Sequence, residues 1–426
     1  MDHFDYRDGE LWCEGVALSA IAKAVGTPVY VYSSATLERH FNVFQDAFKG
    51  LGVGEPLVAY AVKANSNLSV LSTLAAQGAG ADTVSEGEVR RALAAGIPPS
   101  RIVFSGVGKT AAELAFAVQT GVCEINVESE PELDLLAEVA ARLGKRQAIA
   151  IRVNPDVSAG GHAKIATGKS ENKFGVSFAE ALRLYAKAES LPSIHAAGVA
   201  CHIGSQITDL TPMREAFAKM RGLVENLRQH GHKVERLDLG GGLGVPYFNQ
   251  PTPPAPDAFA AMVADVTQGL NVQLAFEPGR MIAANAGVLI SEVIHVHERP
   301  EGRRFLVIDA GMNDLIRPAM YDAYHAISPL KEPEGDAGLV TYDVVGPVCE
   351  TGDTFTRDRD LPPLGAGDLV AFLSAGAYGA AMSSEYNSRP LVPEVLVKGE
   401  HYAVIRPRPT YEEMLAREPM APWLKA

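Results

Sequence analysis

Short apolar segments recur along the first two thirds of the 426-residue chain. Each is rich in Val, Ile and Ala and ends in polar, Gly or Pro residues, a pattern typical of strands buried on both faces. Between them apolar residues recur three and four positions apart, as in 131–144, where Gly144 can cap a helix. The pattern predicts helices that alternate with strands at 56–65, 80–85, 101–106, 123–129, 148–155, 194–204, 235–244 and 272–280.

Eight strands that alternate with helices over about 225 residues match the dimensions of a TIM-like (β/α)8 barrel. A doubly wound open sheet has the same alternation and is the competing interpretation. The count of eight and the polar residues at the strand ends favour the barrel. We therefore predict an α/β chain whose largest domain is a (β/α)8 barrel.

The pattern changes after residue 285, where strands follow one another without long helices between them. Turn signals separate these segments, as in an antiparallel β domain. Residues 28–34 predict one further strand, ahead of a first long helix at 35–49. We predict a barrel over 35–285 and a C-terminal antiparallel β-sandwich or β-barrel domain, formed by 1–34 plus 286–426. Its predicted strands are 287–298, 303–311, 339–355, 367–379 and 393–399.

Composition narrows the functional classes. Hydrophobic residues make up 47% and charged residues 21% of the chain, which is ordinary for a globular protein and excludes a disordered one. The net charge of -13 argues against a nucleic-acid binder. No apolar run reaches the roughly 18 residues that span a bilayer, and the four cysteines show no zinc-site spacing. We expect a cytoplasmic protein without a membrane partner, a nucleic-acid partner or a metal.

Lys63 is the first candidate for chemistry, because active-site groups of a barrel lie at the C-terminal ends of its strands. It ends the apolar strand Ala-Tyr-Ala-Val-Lys. An unpaired buried ammonium is costly, so such a lysine tends to have a lowered pKa or a covalent partner. Its amine suits Schiff-base chemistry with a carbonyl compound. A lysine that simply reaches solvent from the strand end is the alternative.

A glycine run follows the seventh predicted strand, at Gly240, Gly241, Gly242 and Gly244. Glycines let backbone N–H groups approach an anion, and the loops after strands 7 and 8 form the recurrent phosphate site of barrels. A tight turn that needs glycine for steric reasons is the alternative. The spacing GGGLG does not match the GxGxxG of a dinucleotide site.

Glu277 and His202 complete the predicted site. Glu277 follows a buried strand and requires a cationic or hydrogen-bonding partner. The ring nitrogen of pyridoxal phosphate could be that partner, and a salt bridge to the nearby Arg280 or to another basic residue is the alternative. His202 could act as a general acid or base or stack on a flat ring, although a lone histidine is more often structural. A Schiff-base lysine, a phosphate cup, a ring-nitrogen acid and a flat aromatic group together indicate pyridoxal 5'-phosphate.

Six segments, YAVKAN, HIGSQ, GGGLG, EPGR, GPVCETGD and AGAYG in this order, resemble the fold-type III decarboxylases of basic amino acids over nearly the whole chain. Residues 308–325 and 162–175 are most similar to the branch of that family that acts on diaminopimelate. The resemblance implies an alanine-racemase-like barrel with a β domain and bound pyridoxal phosphate. It also implies decarboxylation of meso-2,6-diaminopimelate to L-lysine and CO2, the last step of lysine biosynthesis.

The resemblance also implies roles for individual residues. Lys63 would carry the cofactor, His202 would stack on its ring and Glu277 would pair with the ring nitrogen. The phosphate would be bound by Gly240, Gly241, Gly242, Gly279, Arg280 and Tyr378. The substrate would be bound by Arg280, Arg317, Tyr321, Glu350 and Tyr378. Cys349 would donate the proton that replaces CO2, and Cys349 and Glu350 would reach the active site of a partner subunit in a homodimer.

Three alternatives stay open at this point. An ornithine, arginine or lysine decarboxylase would leave Arg317 without a distal carboxylate to bind, and relatives acting on ornithine typically carry Asp where this chain has Glu350. A non-catalytic regulator that binds pyridoxal phosphate would be expected to have lost Lys63 or Cys349. A racemase fits Cys349 followed by Glu350 less well. Residues 162–175 are expected to form a lid over the barrel mouth, or else a long surface loop.

Overall fold

The computed structural model describes residues 2–158, 168, 172–249, 251–333, 335 and 338–424. Most of the predicted lid at 162–175 therefore lies outside the described residues. The chain divides into two compact units, one formed by 37–283 and the other by 1–36 with 284–426. Within the described ranges, the helices are too short or too polar to cross a bilayer.

The N-terminal segment forms more structure than the one strand predicted for it. A small antiparallel sheet and a short helix precede the predicted strand, which is β4, and the long helix α2 follows it. The elements are β1 (Phe4–Arg7), β2 (Glu10–Cys13), β3 (Val16–Ala17), α1 (Leu18–Val25), β4 (Val29–Ser33) and α2 (Ser34–Asp46).

Eight strands and the helices between them form the unit at 37–283. The strands are β5 (Leu57–Ala61), β6 (Gly80–Thr83), β7 (Ile102–Phe104), β8 (Glu124–Val127), β9 (Gln147–Arg152), β10 (Ile194–Ala200), β11 (Arg236–Asp238) and β12 (Gln273–Phe276). The helices are α3 (Leu68–Ala75), α4 (Glu86–Ala94), α5 (Ala111–Thr120), α6 (Glu130–Arg142), α7 (Phe178–Glu189), α8 (Leu210–Gln229), α9 (Pro256–Thr267) and α10 (Arg280–Ala283).

These eight strands close into a barrel, in the order β10-β11-β12-β5-β6-β7-β8-β9, and every neighbouring pair is parallel. Closure depends on the pairing of β12 with β5, in which Ala275 lies opposite Leu57. This pairing confirms the predicted barrel and excludes the open sheet. Strands such as β5 and β7 are buried at every position, as expected for a parallel sheet covered by helices.

Local sequence specifies where several barrel helices begin. Ser85, Thr110, Ser129 and Ser177 each accept a hydrogen bond from a backbone N–H in the first turn of the helix that follows. On the outer face of the barrel, α2 and α9 pack on β12 through aromatic rings. The ring centroid of Phe276 is 5.8 Å from that of Phe44 in α2 and 4.7 Å from that of Phe48 in the turn after α2.

The other unit continues after the barrel with strands and two short helices. The elements are β13 (Gly287–Glu298), β14 (Arg304–Ile308), α11 (Arg317–Tyr321), β15 (Ile327–Pro329), β16 (Val340–Val345), β17 (Thr354–Leu361), β18 (Leu369–Phe372), β19 (Glu394–Lys398), β20 (His401–Arg406) and α12 (Tyr411–Ala416). The strand order of the main sheet is β17-β16-β14-β13-β4-β19-β20, with β18 beside β13 and β15 beside β18. This β-sheet domain confirms the predicted fold class.

Two strand pairs of this sheet are parallel rather than antiparallel. Strand β4 lies between β13 and β19 and runs parallel to β19, and β14 runs parallel to β16. The sheet is therefore mixed, because β4 comes from the other end of the chain and because a long connection that contains α11 separates β14 from β16. The single strand predicted at 339–355 is two strands, since Gly346, Pro347 and Gly352 interrupt it.

Candidate active site

Lys63 lies in the short 3-10 turn Val62–Ala64 that directly follows β5. Its Nζ is 2.6 Å from Oδ2 of Asp82, a fully buried carboxylate in the neighbouring strand β6. The side chain of Lys63 is 38% exposed, so its ammonium reaches the barrel mouth while a buried charge holds it in place. Sequence reasoning missed Asp82, although an acidic residue near the end of a buried strand was a usable signal.

Glu277 directly follows β12 and lies among acidic groups. Burial and the carboxylates of Asp238 and Asp82 raise the pKa of Glu277 well above its usual value, in spite of the nearby Lys63 and Arg152 cations. Burial likewise raises the pKa of Asp238, which ends β11 and accepts a hydrogen bond from the Gly240 N–H at 2.8 Å. A cation placed beside Glu277 would favour its ionised form, as the hypothesis of a protonated ring nitrogen requires.

His202 follows β10 and is uncharged in this environment. Burial and the Arg152 and Lys63 cations lower the pKa of His202 well below its usual value. The Gly241 N–H donates to Nδ1 of the ring at 3.2 Å, which leaves the proton of the neutral imidazole on Nε2. A neutral flat ring held at this angle can stack on an aromatic cofactor.

The glycine run brings the ends of β11 and β12 close together. A Cβ atom on Gly241 would lie 2.2 Å from the carbonyl oxygen of Glu277, and Gly240 and Gly242 have φ angles of +65° and +118°. The N–H groups of Gly240 and Gly241 donate within the protein, to Asp238 and His202. These two positions therefore bring neighbouring backbone segments closer together than a residue with a Cβ would allow.

Arg280 opens α10 and is 7% exposed. Its Nη1 donates to the Tyr247 hydroxyl at 2.9 Å, and its Nε and Nη2 donate to the Ser205 hydroxyl at 3.2 and 3.0 Å. Two hydroxyl groups on the loops after β10 and β11 thus fix the direction of the guanidinium. Sequence reasoning missed both as partners, although Ser205 lies within the HIGSQ segment that it singled out.

Two of the remaining predicted residues begin and end the helix α11. Arg317 opens it and Tyr321 closes it. Arg317 is 6% exposed, and its Nη1 donates to Nε2 of His325 at 2.8 Å. His325 in turn lies 2.8 Å through Nδ1 from the Leu373 carbonyl. The His325 ring therefore helps to orient the Arg317 guanidinium.

Cys349 and Glu350 lie in the loop between β16 and β17. Cys349 is an exposed free thiol, whereas Cys13 and Cys201 are buried and Cys123 is partly buried. Its backbone N–H donates to Oδ1 of Asn387 at 3.0 Å. The Glu350 carboxylate accepts from the Tyr386 hydroxyl at 2.6 Å. Sequence reasoning missed both of these partners.

Tyr378 lies in the loop after β18, where its backbone has a φ of +56°. A non-glycine residue in this left-handed region is uncommon, and such residues cluster at functional sites. Tyr378, Arg317, Tyr321, Cys349 and Glu350 belong to the unit of 284–426, whereas the other predicted site residues belong to the barrel.

The barrel residues fit pyridoxal phosphate. Oδ1 of Asp82 is buried and has no hydrogen-bond partner among the described residues, close to the amine that would carry the cofactor. The pKa of Glu277 is raised in spite of the Lys63 and Arg152 cations, so a further cation at the position of a ring nitrogen would favour its ionised form. Lys63 supplies an amine, His202 a neutral ring and Glu277 an acid, which is the donor set that this cofactor requires.

Comparison with known proteins agrees with this geometry. Residues 34–284 match the family model of the pyridoxal-dependent decarboxylases, pyridoxal binding domain. A diaminopimelate decarboxylase from Zymomonas mobilis is 50% identical to this chain and is aligned over 99% of both chains. The crystal structure of diaminopimelate decarboxylase from Helicobacter pylori complexed with L-lysine is 42% identical, with a TM-score of 0.89, over 94% of this chain and 98% of that one.

A second solved structure extends the likeness to the whole fold. Diaminopimelate decarboxylase from M. jannaschii, in co-complex with L-lysine, is 36% identical over 99% of both chains, with a TM-score of 0.94. The likeness spans both units, and the matched family binds pyridoxal phosphate. The chain therefore belongs to the diaminopimelate decarboxylase family of pyridoxal-dependent decarboxylases.

Proposed function

We propose that this protein removes CO2 from meso-2,6-diaminopimelate and releases L-lysine, the last step of lysine biosynthesis. One observation carries the proposal. The barrel places the amine of Lys63 against buried Asp82 in a site that also contains Glu277, whose pKa is raised, and the neutral ring of His202. Family membership at 50% identity over the full chain specifies the reaction.

Pyridoxal phosphate, when bound, supplies a carbonyl group that condenses with amines and a ring that accepts the electron pair left by CO2. Lys63 would hold the cofactor covalently, and its amine would return to release the product. Glu277 would keep the proton on the ring nitrogen, and the neutral His202 would stack on the ring. Gly240, Gly241 and Gly242 would leave room for the phosphate, with further contacts from Gly279, Arg280 and Tyr378.

The substrate-binding residues follow from the chemistry of a diamino diacid. One carboxylate leaves, so the distal one must be recognised. We assign it to the guanidinium groups of Arg280 and Arg317 with the Tyr321 phenol, because guanidinium binds carboxylate bidentately. Glu350 would hold the distal amino group, and Tyr378 would contact the substrate as well as the phosphate. The Cys349 thiol would donate the proton to the carbon that loses CO2, since a thiol exchanges protons near neutral pH.

We further propose that the protein acts as a homodimer, in which Cys349 and Glu350 complete the site of the partner subunit. Both residues are exposed in the single chain, as residues of a surface completed by a second copy would be. The four free thiols suit the reducing cytoplasm. A net charge of -13 argues against nucleic-acid partners.

The decisive assay incubates the pure protein and pyridoxal phosphate separately with meso-diaminopimelate, L-ornithine, L-lysine and L-arginine, and measures CO2 release. We expect release from meso-diaminopimelate, with L-lysine as the product. Release from ornithine alone would overturn the proposed substrate, and release from none of the four would overturn the proposed activity. Size-exclusion chromatography with light scattering tests the dimer, and a monomeric active protein would exclude a shared site.

A further inference from the structure

The turn at 385–389 contains two consecutive non-glycine residues in the left-handed backbone region. Asn387 has a φ of +56° and Ser388 a φ of +55°. Asparagine tolerates this conformation, but serine adopts it only rarely. Strained residues of this kind persist only where the surrounding structure imposes them, and they cluster at functional sites. The turn belongs to no part of the site assigned above.

Two neighbouring side chains of this turn contact two neighbouring residues of the proposed site. Oδ1 of Asn387 accepts the backbone N–H of Cys349 at 3.0 Å, and the Tyr386 hydroxyl donates to Oε1 of Glu350 at 2.6 Å. Asn387, which makes one of these contacts, interrupts the short helical turn Tyr386–Ser388 with backbone angles of φ +56° and ψ +26°. A relaxed turn would change the direction of one side chain relative to the other.

Both ends of the turn are anchored. Glu385 forms an ion pair with Arg417 at 2.6 Å, and Arg389 donates to the carbonyl of Asp309. These anchors explain how the strained conformation is maintained. The turn is thus tied to the rest of the chain at its first and last residues.

The loop that carries Cys349 and Glu350 is held from its other side by Asp353. The two carboxylate oxygens of Asp353 accept the N–H groups of Met312 and Val348, both at 2.6 Å. The Asp353 N–H also donates to the Glu350 carbonyl at 3.0 Å. With Asp353 fixing the backbone on one side, Asn387 and Tyr386 are the groups that locate Cys349 and Glu350 on the other.

We propose that Asn387 and Tyr386 are positioning residues for the decarboxylation, Asn387 acting through Cys349 and Tyr386 through Glu350. This inference rests on the proposed function, in which Cys349 donates a proton and Glu350 binds the distal amino group. Because the two contacts serve different steps, their loss has different kinetic consequences. Misplacing the proton donor lowers kcat, whereas misplacing a substrate ligand raises KM at constant kcat.

The chain offers closely matched variants. Tyr386→Phe removes only the hydroxyl, and Asn387→Gly removes the acceptor while keeping a residue that favours the left-handed conformation. Asn387→Asp keeps an acceptor oxygen at the same position. Ser388→Gly keeps the same turn, because glycine adopts the left-handed backbone without strain, and it is the control, because Ser388 is not assigned to the machinery. We expect Ser388→Gly to keep wild-type kcat and KM.

The experiment measures kcat and KM for meso-diaminopimelate, and the Kd of L-lysine by calorimetry, on the cofactor-loaded proteins. Asn387→Gly should lower kcat about tenfold at unchanged KM, and Asn387→Asp should recover most of that loss. Tyr386→Phe should raise KM and the Kd of L-lysine about fivefold at unchanged kcat, as expected for the loss of one ordinary hydrogen bond that acts through Glu350.

If the wild-type enzyme is active, any of three results would overturn this inference. They are a wild-type kcat in Asn387→Gly, an equal loss of kcat in Ser388→Gly, and an unchanged KM and Kd in Tyr386→Phe. Failure of the proposed function gives a different result, because the wild-type protein then releases no CO2 from meso-diaminopimelate. A Cys349→Ala protein with full kcat would instead remove the proton donor through which Asn387 acts.

Discussion

The close approach of β11 and β12 makes Gly241 a sensitive position. In Gly241→Ala the new Cβ would lie 2.2 Å from the Glu277 carbonyl oxygen and 3.0 Å from its carbonyl carbon. Both partners are backbone atoms, so no side chain can rotate away. The ends of the two strands must therefore separate by about 1 Å, and overpacking of this kind costs about 1–3 kcal/mol.

The same displacement moves Glu277 and the Gly241 N–H that orients His202. We therefore expect Gly241→Ala to lose both stability and cofactor affinity. A shift of about 1 Å in a positioned group can cost up to about 10²-fold in function, so the Kd for pyridoxal phosphate should rise at least tenfold. Urea unfolding of the cofactor-free protein measures the first effect, and equilibrium dialysis measures the second.

Gly222→Ala is the matched control, because Gly222 is an exposed residue within α8 and a Cβ there would have no atom within 4 Å. This change should stabilise the protein by about 0.5–1 kcal/mol through helix propensity and leave cofactor affinity unchanged. Opposite signs for the two substitutions would support the steric argument. Wild-type stability and cofactor affinity in Gly241→Ala would refute it.

Three further predictions concern charged groups. Lys63→Ala should release no CO2 and should form no pyridoxyl adduct after borohydride reduction, measured by mass spectrometry; an adduct at another lysine with full turnover would refute the assignment. Arg317→Lys should raise KM for meso-diaminopimelate roughly 10- to 100-fold, since lysine cannot bind a carboxylate bidentately; an unchanged KM would remove Arg317 from the substrate site. Glu124 is fully buried, and burial raises its pKa to about 7 although Arg236 lies 3.0 Å away. The protonated carboxyl group makes its full contribution to the free energy of unfolding below pH 4.5, which is its pKa in the unfolded chain. That contribution is lost as the pH rises towards 7. Between pH 4.5 and 7.5 the unfolding free energy of Glu124→Gln, measured by urea titration, should therefore fall by about 3 kcal/mol less than that of the wild type. An equal fall in both proteins would contradict this.

Much of the barrel was predictable because burial leaves a local record in the sequence. A strand covered on both faces must be apolar throughout, and parallel strands of a barrel all end at the same side. These two rules were enough to predict that Lys63, His202 and Glu277 lie at one barrel mouth. The glycines after β11 could also be predicted to mark a close approach of two backbone segments, since only a residue without a Cβ fits there.

The β unit was less predictable. Strand β4 comes from residues 29–33 but pairs with β13 and β19, and nothing local in its sequence encodes partners so far away. The short strands β1, β2, β3, β15 and β20 were missed because two to six residues are too few to show a period. The opposite error occurred at 339–355, where the prediction joined two strands and the loop between them into one strand, because apolar residues continue into the loop.

The sequence by itself determined the alternation of elements, the barrel and the identity of the groups that end its strands. Only the tertiary structure decided which partner each group has, as in Lys63 with Asp82, Arg317 with His325 and Cys349 with Asn387. The physical reason is that apolar periodicity reports whether a residue is buried, which is a local property. The partner of a polar group depends on strand register, on loop paths and on all the backbone angles between the two residues. Cys349 and Asn387, for example, are 38 positions apart.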